Sequence, residues 1–295
     1  MPNDSLRSQF QLHFIVFIWG FTAVIGALIS LDALPLVWYR MSIAVIIVLL
    51  YALYKKGISL KMPPATIARF LIAGLIIALH WLTFFKAIKV SNVSVTLACI
   101  STGAFFTSLL EPLFYKRKVI GYEVFFGLLV VAGLYIIFRF EGDYFYGIAL
   151  ALTSAFLSAL FSVLNGIYAV KYDSTVISVY ELFGGVLFLS LYLLFTGNFD
   201  AAFFSISLND WFWLFILGSI CTAYAFIVSV KVMKYISPYT VVLTVNLEPV
   251  YGIILALLVF KEEERMSWTF YVGAAIILTT VILNAILKNY AKNKK

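Results

Sequence analysis

Charge is what this chain has least of. Only 12% of its 295 residues are Asp, Glu, Lys or Arg, against about 25% in a soluble globular domain. So few charges cannot cover a water-facing surface, which excludes an ordinary soluble protein. Histidine is scarcer still, with His13 and His80 alone. No His-x-x-x-His spacing is present to hold a metal, and no Gly-x-Ser-x-Gly run is present to present a nucleophile. The two cysteines, Cys99 and Cys221, both fall inside apolar stretches, as buried thiols do, and form neither a disulfide pattern nor a metal pattern. A phosphate-binding Gly-x-x-x-x-Gly-Lys-Ser/Thr loop is missing too, which argues against direct ATP hydrolysis. The sequence therefore asks for no cofactor and no metal.

Apolar residues are abundant. They make up 63% of the chain, and the mean hydropathy is +1.03. A hydrocarbon core of ~30 Å needs ~20 apolar residues in a helix. Ten such segments can be marked, at about 12–30, 35–54, 67–86, 92–114, 119–138, 146–169, 175–196, 211–232, 238–260 and 267–287. Only Arg7 precedes the first run, which is long enough to be a span rather than a cleaved leader. The interruptions have local causes. Pro35 opens the second segment, Lys55-Lys56-Gly57 closes it, and Met62-Pro63-Pro64 precedes the third. Glu141-Gly142-Asp143 parts the fifth from the sixth, and Ser237-Pro238 opens the ninth. The fold class is thus all-α, a polytopic membrane protein with ten transmembrane helices.

Loop charge gives the direction. Lys and Arg are retained on the cytoplasmic side. Among the 21 lysines and arginines, Lys86, Lys89, Arg139, Lys261 and Arg265 fall on one side and Arg40 lies within a span. All the others share the side of the two termini, so residues 1–11 and 288–295 read as cytoplasmic tails. The +7 net charge follows from this loop bias and implies no nucleic-acid partner. The expected partners are the lipid bilayer and a small-molecule substrate, and self-association stays open.

The two halves look alike. A shift of 146 residues lays Ser91 on Ser237, Leu97 on Leu243, Phe114 on Phe260 and Gly127 on Gly273. The basic run Tyr115-Lys116-Arg117-Lys118 then meets the acidic run Lys261-Glu262-Glu263-Glu264-Arg265. Related loops of opposite charge belong on opposite faces. Five spans per half, an odd number, invert one half relative to the other, giving two inverted five-helix repeats at 12–138 and 146–287.

Several features carry a resemblance to a known family. They are the Ala/Val-rich spans, Trp19-Gly20, Tyr39-Arg40, the Lys89-Val90-Ser91 approach to the fourth span, and Asn246-Leu247-Glu248-Pro249-Val250 followed by an acidic loop and Gly273. The chain resembles the EamA-type members of the drug/metabolite transporter superfamily over about residues 12–287. The resemblance implies an inner-membrane transporter whose central cavity is lined by spans 1, 3, 4, 6, 8 and 9, which includes Trp19. Two departures stand out: Gly103 where a proline is common, and Lys116-Arg117-Lys118 in place of the usual loop glutamate.

Polar groups inside a membrane are costly, so they face protein or water. Arg40 lies close enough to a membrane surface to snorkel and reads as an anchor. Glu181, at comparable depth in the counterpart span, sits near the opposite face, and Glu111 is expected to pair with the nearby basic loop. His80, beside Trp81, either binds a substrate or a proton or is satisfied by a neighbouring helix backbone. Glu248 follows Asn246 and precedes Pro249, which breaks the helix and loosens nearby carbonyls. It either binds substrate or a coupling proton, or bonds to a neighbouring helix. Ser101 and Thr102 beside Gly103, then Ser158, Ser162 and Asn165 on one helical face, then Thr222 and Tyr224, complete the candidate cavity residues. Helix-packing contacts are the alternative role for such small polar groups. The function this points to is secondary transport, as exporter or exchanger, of a small organic metabolite by alternating access. A translocase of a lipid or lipid-linked substrate is the closest rival. An intramembrane enzyme fits poorly, since no groups of catalytic type converge.

Overall fold

The computed structural model describes residues 2–116, 118, 121–140 and 144–293. Arg117 of the basic run, the expected separator Glu141-Gly142-Asp143, and Lys294 and Lys295 lie outside them. Every regular element among the described residues is helical. Eight helices or broken-helix pairs are long and apolar enough to cross a membrane, and two shorter apolar stretches lie at Phe125–Ile136 and Trp268–Thr280.

Helix α1 runs Pro2–Leu28 and starts well before the apolar run that marks it in the sequence. α2 (Ala33–Tyr54) carries Pro35 in its first turn, where a missing N–H costs nothing. α3 (Pro64–Val90) opens on a proline for the same reason. The fourth apolar segment is not one helix but two, α4 (Val93–Ile100) and α5 (Gly103–Tyr115). α6 (Gly121–Phe140) and α7 (Phe145–Ala169) follow, then α8 (Ser174–Phe195), whose Asp173 side chain accepts from Thr175 N at 2.8 Å. The stretch between the seventh and eighth marked segments holds a one-turn helix, α9 (Ala201–Phe204). The eighth segment splits into α10 (Leu208–Gly218), a π-helical stretch Ser219–Tyr224, and α11 (Ala225–Val232). The ninth splits into α12 (Pro238–Val245) and α13 (Glu248–Phe260), followed by a 3-10 turn Lys261–Glu264. α14 (Trp268–Asn293) closes the described chain.

Packing brings the halves against each other. α3 lies against α7 and α8, α2 against α8 and α10, α1 against α11 and α13, α5 against α7 and α12, and α6 against α14. Close approach between α3 and α8 rests on glycine. A Cβ built at Gly74 would lie 2.1 Å from the Glu181 carbonyl oxygen.

The two ends of the bundle differ. One end is tied by polar contacts between distant segments. Ser30 donates through N and Oγ to the Asp210 carboxylate at 2.7 and 2.6 Å. Ser207 Oγ donates to the same group at 2.8 Å, and Lys89 Nζ bonds the Ile29 carbonyl. The buried carboxylate of Glu264 accepts from Val93 N and Ser94 N, both at 2.8 Å. It thereby satisfies two of the donors that the start of α4 leaves without helical partners, while Asn92 accepts from Val95 N at 2.8 Å. A carboxylate at a helix N-terminus also complements the helix dipole. The other end is held by rings: Phe70 lies 5.2 Å from Tyr168 and 5.3 Å from Tyr172, and Tyr180 Oη donates to Leu60 O at 2.6 Å.

Candidate functional site

Both broken helices turn their breaks toward the interior. At the first, Thr102 Oγ1 donates to Cys99 O at 2.7 Å and Ser101 Oγ to Leu97 O at 3.2 Å. At the second, Pro249 sits in the first turn of α13 and residues 246–247 part it from α12. The pieces match in length, 8 residues then 13 in each case. They also end alike, on the two non-glycine residues with positive φ among the described residues, Lys116 (53°) and Lys261 (51°).

Between the breaks lies a cavity of about 90 Å³. Trp19 of α1, Arg40 of α2, His80, Trp81 and Phe84 of α3, Ile100 of α4, and Ser158, Phe161 and Ser162 of α7 form part of its wall. Thr22 of α1, Cys221, Phe226 and Ser229 of the eighth segment, with Val245 and Glu248, add to it. Aromatic and aliphatic side chains supply most of the lining and a few polar groups converge on it, the usual make-up of a ligand site.

His80, Trp19 and Arg40 are held from behind. His80 Nδ1 faces the Ser154 carbonyl at 2.9 Å and Ser154 Oγ at 2.8 Å, while Ser154 Oγ donates back to His80 O at 2.9 Å. A carbonyl only accepts, so Nδ1 carries a proton, which in a neutral ring leaves Nε2 as the acceptor. Of the two readings the sequence leaves open, attachment to a neighbouring helix is therefore realised, on a histidine that also lines the cavity. Trp19 Nε1 donates to Cys221 O at 3.0 Å. Arg40 is not an anchor at the membrane surface. It is 1% exposed, its guanidinium lies 4.1 Å from the Trp81 ring centroid and 5.3 Å from that of Phe85, and Nε donates to Thr222 Oγ1 at 2.6 Å. Thr222 in turn donates to Leu217 O at 2.6 Å, a bond five residues back that the π-helical widening permits.

The site thus gathers Trp19, His80, Trp81, Ser158, Ser162 and Glu248 from the residues picked out by sequence. Others go elsewhere. Ser101 and Thr102 are fully buried at the break, their hydroxyls bonded to their own helix. Asn165 donates to Glu181 Oε2 at 3.2 Å, behind the cavity wall. Asn246 is buried as the C-terminal cap of α12. Tyr224 lines a second, larger cavity of about 560 Å³ together with Tyr51, Lys55, Asp173, Lys231 and Lys234. Among the described residues, no group of three or more His, Cys, Asp or Glu side chains is placed to hold a metal ion.

Arg40 is the addition the structure makes, and Thr222, already picked out by sequence, holds it from behind the wall. A signal for Arg40 does exist in the sequence, an arginine inside an apolar run of span length, but depth along the helix is compatible with both snorkelling and burial.

Comparison with known proteins agrees with this architecture. The family described as EamA-like transporter family matches residues 10–139 and again 145–286. An uncharacterized transporter from Archaeoglobus fulgidus is 22% identical over 285 residues, covering 95% of this chain and 97% of the relative. One solved crystal structure superposes with a TM-score of 0.70 at 16% identity, over 95% of this chain and 98% of that one, a likeness of fold.

Proposed function

The chain belongs to the EamA-like transporter family, within the drug/metabolite transporter superfamily, and from that membership we propose that it moves a small organic metabolite across the inner membrane by alternating access. The observation that carries this reading is the pair of broken helices, alike in the lengths of their pieces, whose breaks meet at one enclosed cavity. Backbone interruptions at membrane depth belong where they line a cavity, and matched interruptions in two halves mark a transport site.

In this proposal the chain makes ten crossings as two inverted five-helix repeats, with α6 and α14 as the fifth and tenth and both termini in the cytoplasm. The double family match supports the halves. So does the packing, in which α3 against α7 and α8 is matched by α10 and α11 against α1 and by α10 against α2, and α7 against α4 and α5 by α1 against α12 and α13. The polar ties of Asp210 and Glu264 then lie on the outer side, and the larger cavity with Lys55, Lys231 and Lys234 opens toward the cytoplasm. The conformer is accordingly closed outward. Its central cavity suits a small solute better than a lipid, because about 90 Å³ cannot take an acyl chain and headgroup together.

Glu248 is the proposed proton carrier. It lines the cavity at the helix break, whereas the His80 Nδ1 proton is committed to Ser154. A thermal-stability screen of solutes on purified protein identifies the cargo, since a ligand that binds only the folded state raises the melting temperature. With that solute in proteoliposomes, Glu248→Gln is expected to cut uptake driven by a pH gradient at least ~10-fold. Solute exchange at equal pH should persist. Full pH dependence retained in both Glu248→Gln and His80→Ala rejects proton coupling at this site. Tags at the two ends that react from opposite sides of the membrane reject the ten-span layout.

A further inference from the structure

The Arg40 guanidinium is a buried cation whose protein contacts leave it incompletely bonded. It has five N–H donors in a planar fork and stays charged at any physiological pH. Nε is engaged by Thr222, but Nη1 is buried with no acceptor among the described residues. Taking an uncompensated charge out of water is expensive, and truncating around such a charge is strongly destabilising, so its position calls for a partner. Glu248 lines the same cavity, yet no hydrogen bond or ion pair joins the two among the described residues. Cation and carboxyl group therefore share one small enclosed space without touching.

That arrangement has the chemistry of an oxyanion subsite. A guanidinium edge matches a carboxylate in a two-bond geometry. Trp81 beneath the guanidinium fixes its plane, and Thr222, itself locked onto Leu217 O, fixes its rotation. A phosphate dianion fits less well. The described wall of the cavity supplies no second arginine or lysine, and Glu248 opposes further negative charge. We propose that the transported solute carries a carboxylate, that Arg40 binds this group, and that Phe84, Phe161 and Phe226 enclose the solute's apolar body. This deepens the transport reading and rests on it. Arg40 is the binding residue, and Thr222 is a positioning residue that acts through it.

The test uses full-length protein in detergent and three matched pairs: phenylacetate, 3-phenylpropionate and isovalerate, each against its amide. Binding is read from tryptophan fluorescence and from the shift in melting temperature. At least one carboxylate is expected to bind about ten- to a hundredfold more tightly than its amide, the range for hydrogen bonds to a charged group. Arg40→Gln is expected to abolish that preference, and Arg40→Lys to keep a reduced one, because an ammonium has the charge without the fork. Thr222→Val leaves the charge in place and is expected to narrow the preference, so the inference remains testable if Arg40→Gln does not fold. Carboxylates that bind no better than amides in all three pairs overturn it, as does a preference that survives Arg40→Gln. An Arg40 that serves only Glu248 through a bridging water gives that second result. The two readings fail separately. Exchange of some neutral solute with no carboxylate preference removes only the subsite, whereas no movement of any solute removes the transporter itself.

Discussion

Gly74→Ala is expected to yield little folded protein, with what remains melting far below the parent. The added methyl would stand 2.1 Å from the Glu181 carbonyl oxygen and 3.0 Å from Gly185 N, all in the backbone of the facing helix. A flexible side chain can swing away from such a clash, but a helix backbone moves only by separating α3 from α8. Overpacking a tight core costs about 1–3 kcal/mol and sometimes more. With backbone on both sides the upper end applies. In membranes, small residues at helix crossings provide much of the packing energy because lipid competes equally for apolar side chains. Size-exclusion profiles and melting curves of Gly74→Ala beside Gly103→Ala check the point. The Gly103 methyl would meet Val242 at an ordinary 3.5 Å, and that variant should behave as the parent does. Equal behaviour of the two variants refutes the close-packing account.

Glu264→Ala should lower the melting temperature by on the order of 10 °C. Its two carboxylate oxygens are the acceptors for Val93 N and Ser94 N in a site where the side chain is 4% exposed. Alanine leaves both donors buried and unmatched, at about 1–3 kcal/mol each. Glutamine, with one acceptor oxygen, should fall between. Glu262 gives the contrast within the same turn. It pairs with Arg265 at 3.2 Å, but both side chains are exposed, at 80% and 71%, so Glu262→Ala should be nearly silent. If Glu262→Ala costs as much as Glu264→Ala, the loop acts through its net charge and the cap is not the cause.

These two glutamates show where sequence reading stops. Composition and run length suffice to mark the apolar segments, because burying twenty residues in hydrocarbon is a property of the segment and not of its neighbours. Glu264 within Glu262-Glu263-Glu264 carries no local mark of being buried. Its role comes from a helix start some 170 residues earlier in the chain, at Val93 and Ser94. The break before Glu248 is legible from Pro249, whereas its counterpart at Ser101–Thr102 occurs without a proline. There, side-chain hydroxyls bonded to carbonyls three and four residues back compete with the regular ladder. Those hydroxyls have thereby spent their one donor proton, and both residues are fully buried outside the cavity lining, although their residue types suggest a substrate contact. Asn165 shares a helical face with Ser158 and Ser162, as spacing requires, yet it meets Glu181 before it reaches the cavity. Helical periodicity fixes direction around an axis and leaves open which neighbour is met first. Arg40 is the converse case, a residue whose sequence position allows two depths and whose surroundings select the inner one.

The π-helical stretch at Ser219–Tyr224 has a bearing on how this protein tolerates change in length. One residue beyond the α-helical count advances the angular phase of everything downstream by about 100°. Upstream of it, α10 is aligned with α2; downstream, α11 presents Phe226 to the central chamber and Lys231 to the wider vestibule. A single-residue deletion inside the stretch would restore regular winding and swing those side chains about a quarter of a turn away from their present neighbours. The helix therefore behaves like a keyed shaft, in which residue count, more than residue identity, sets what each face meets.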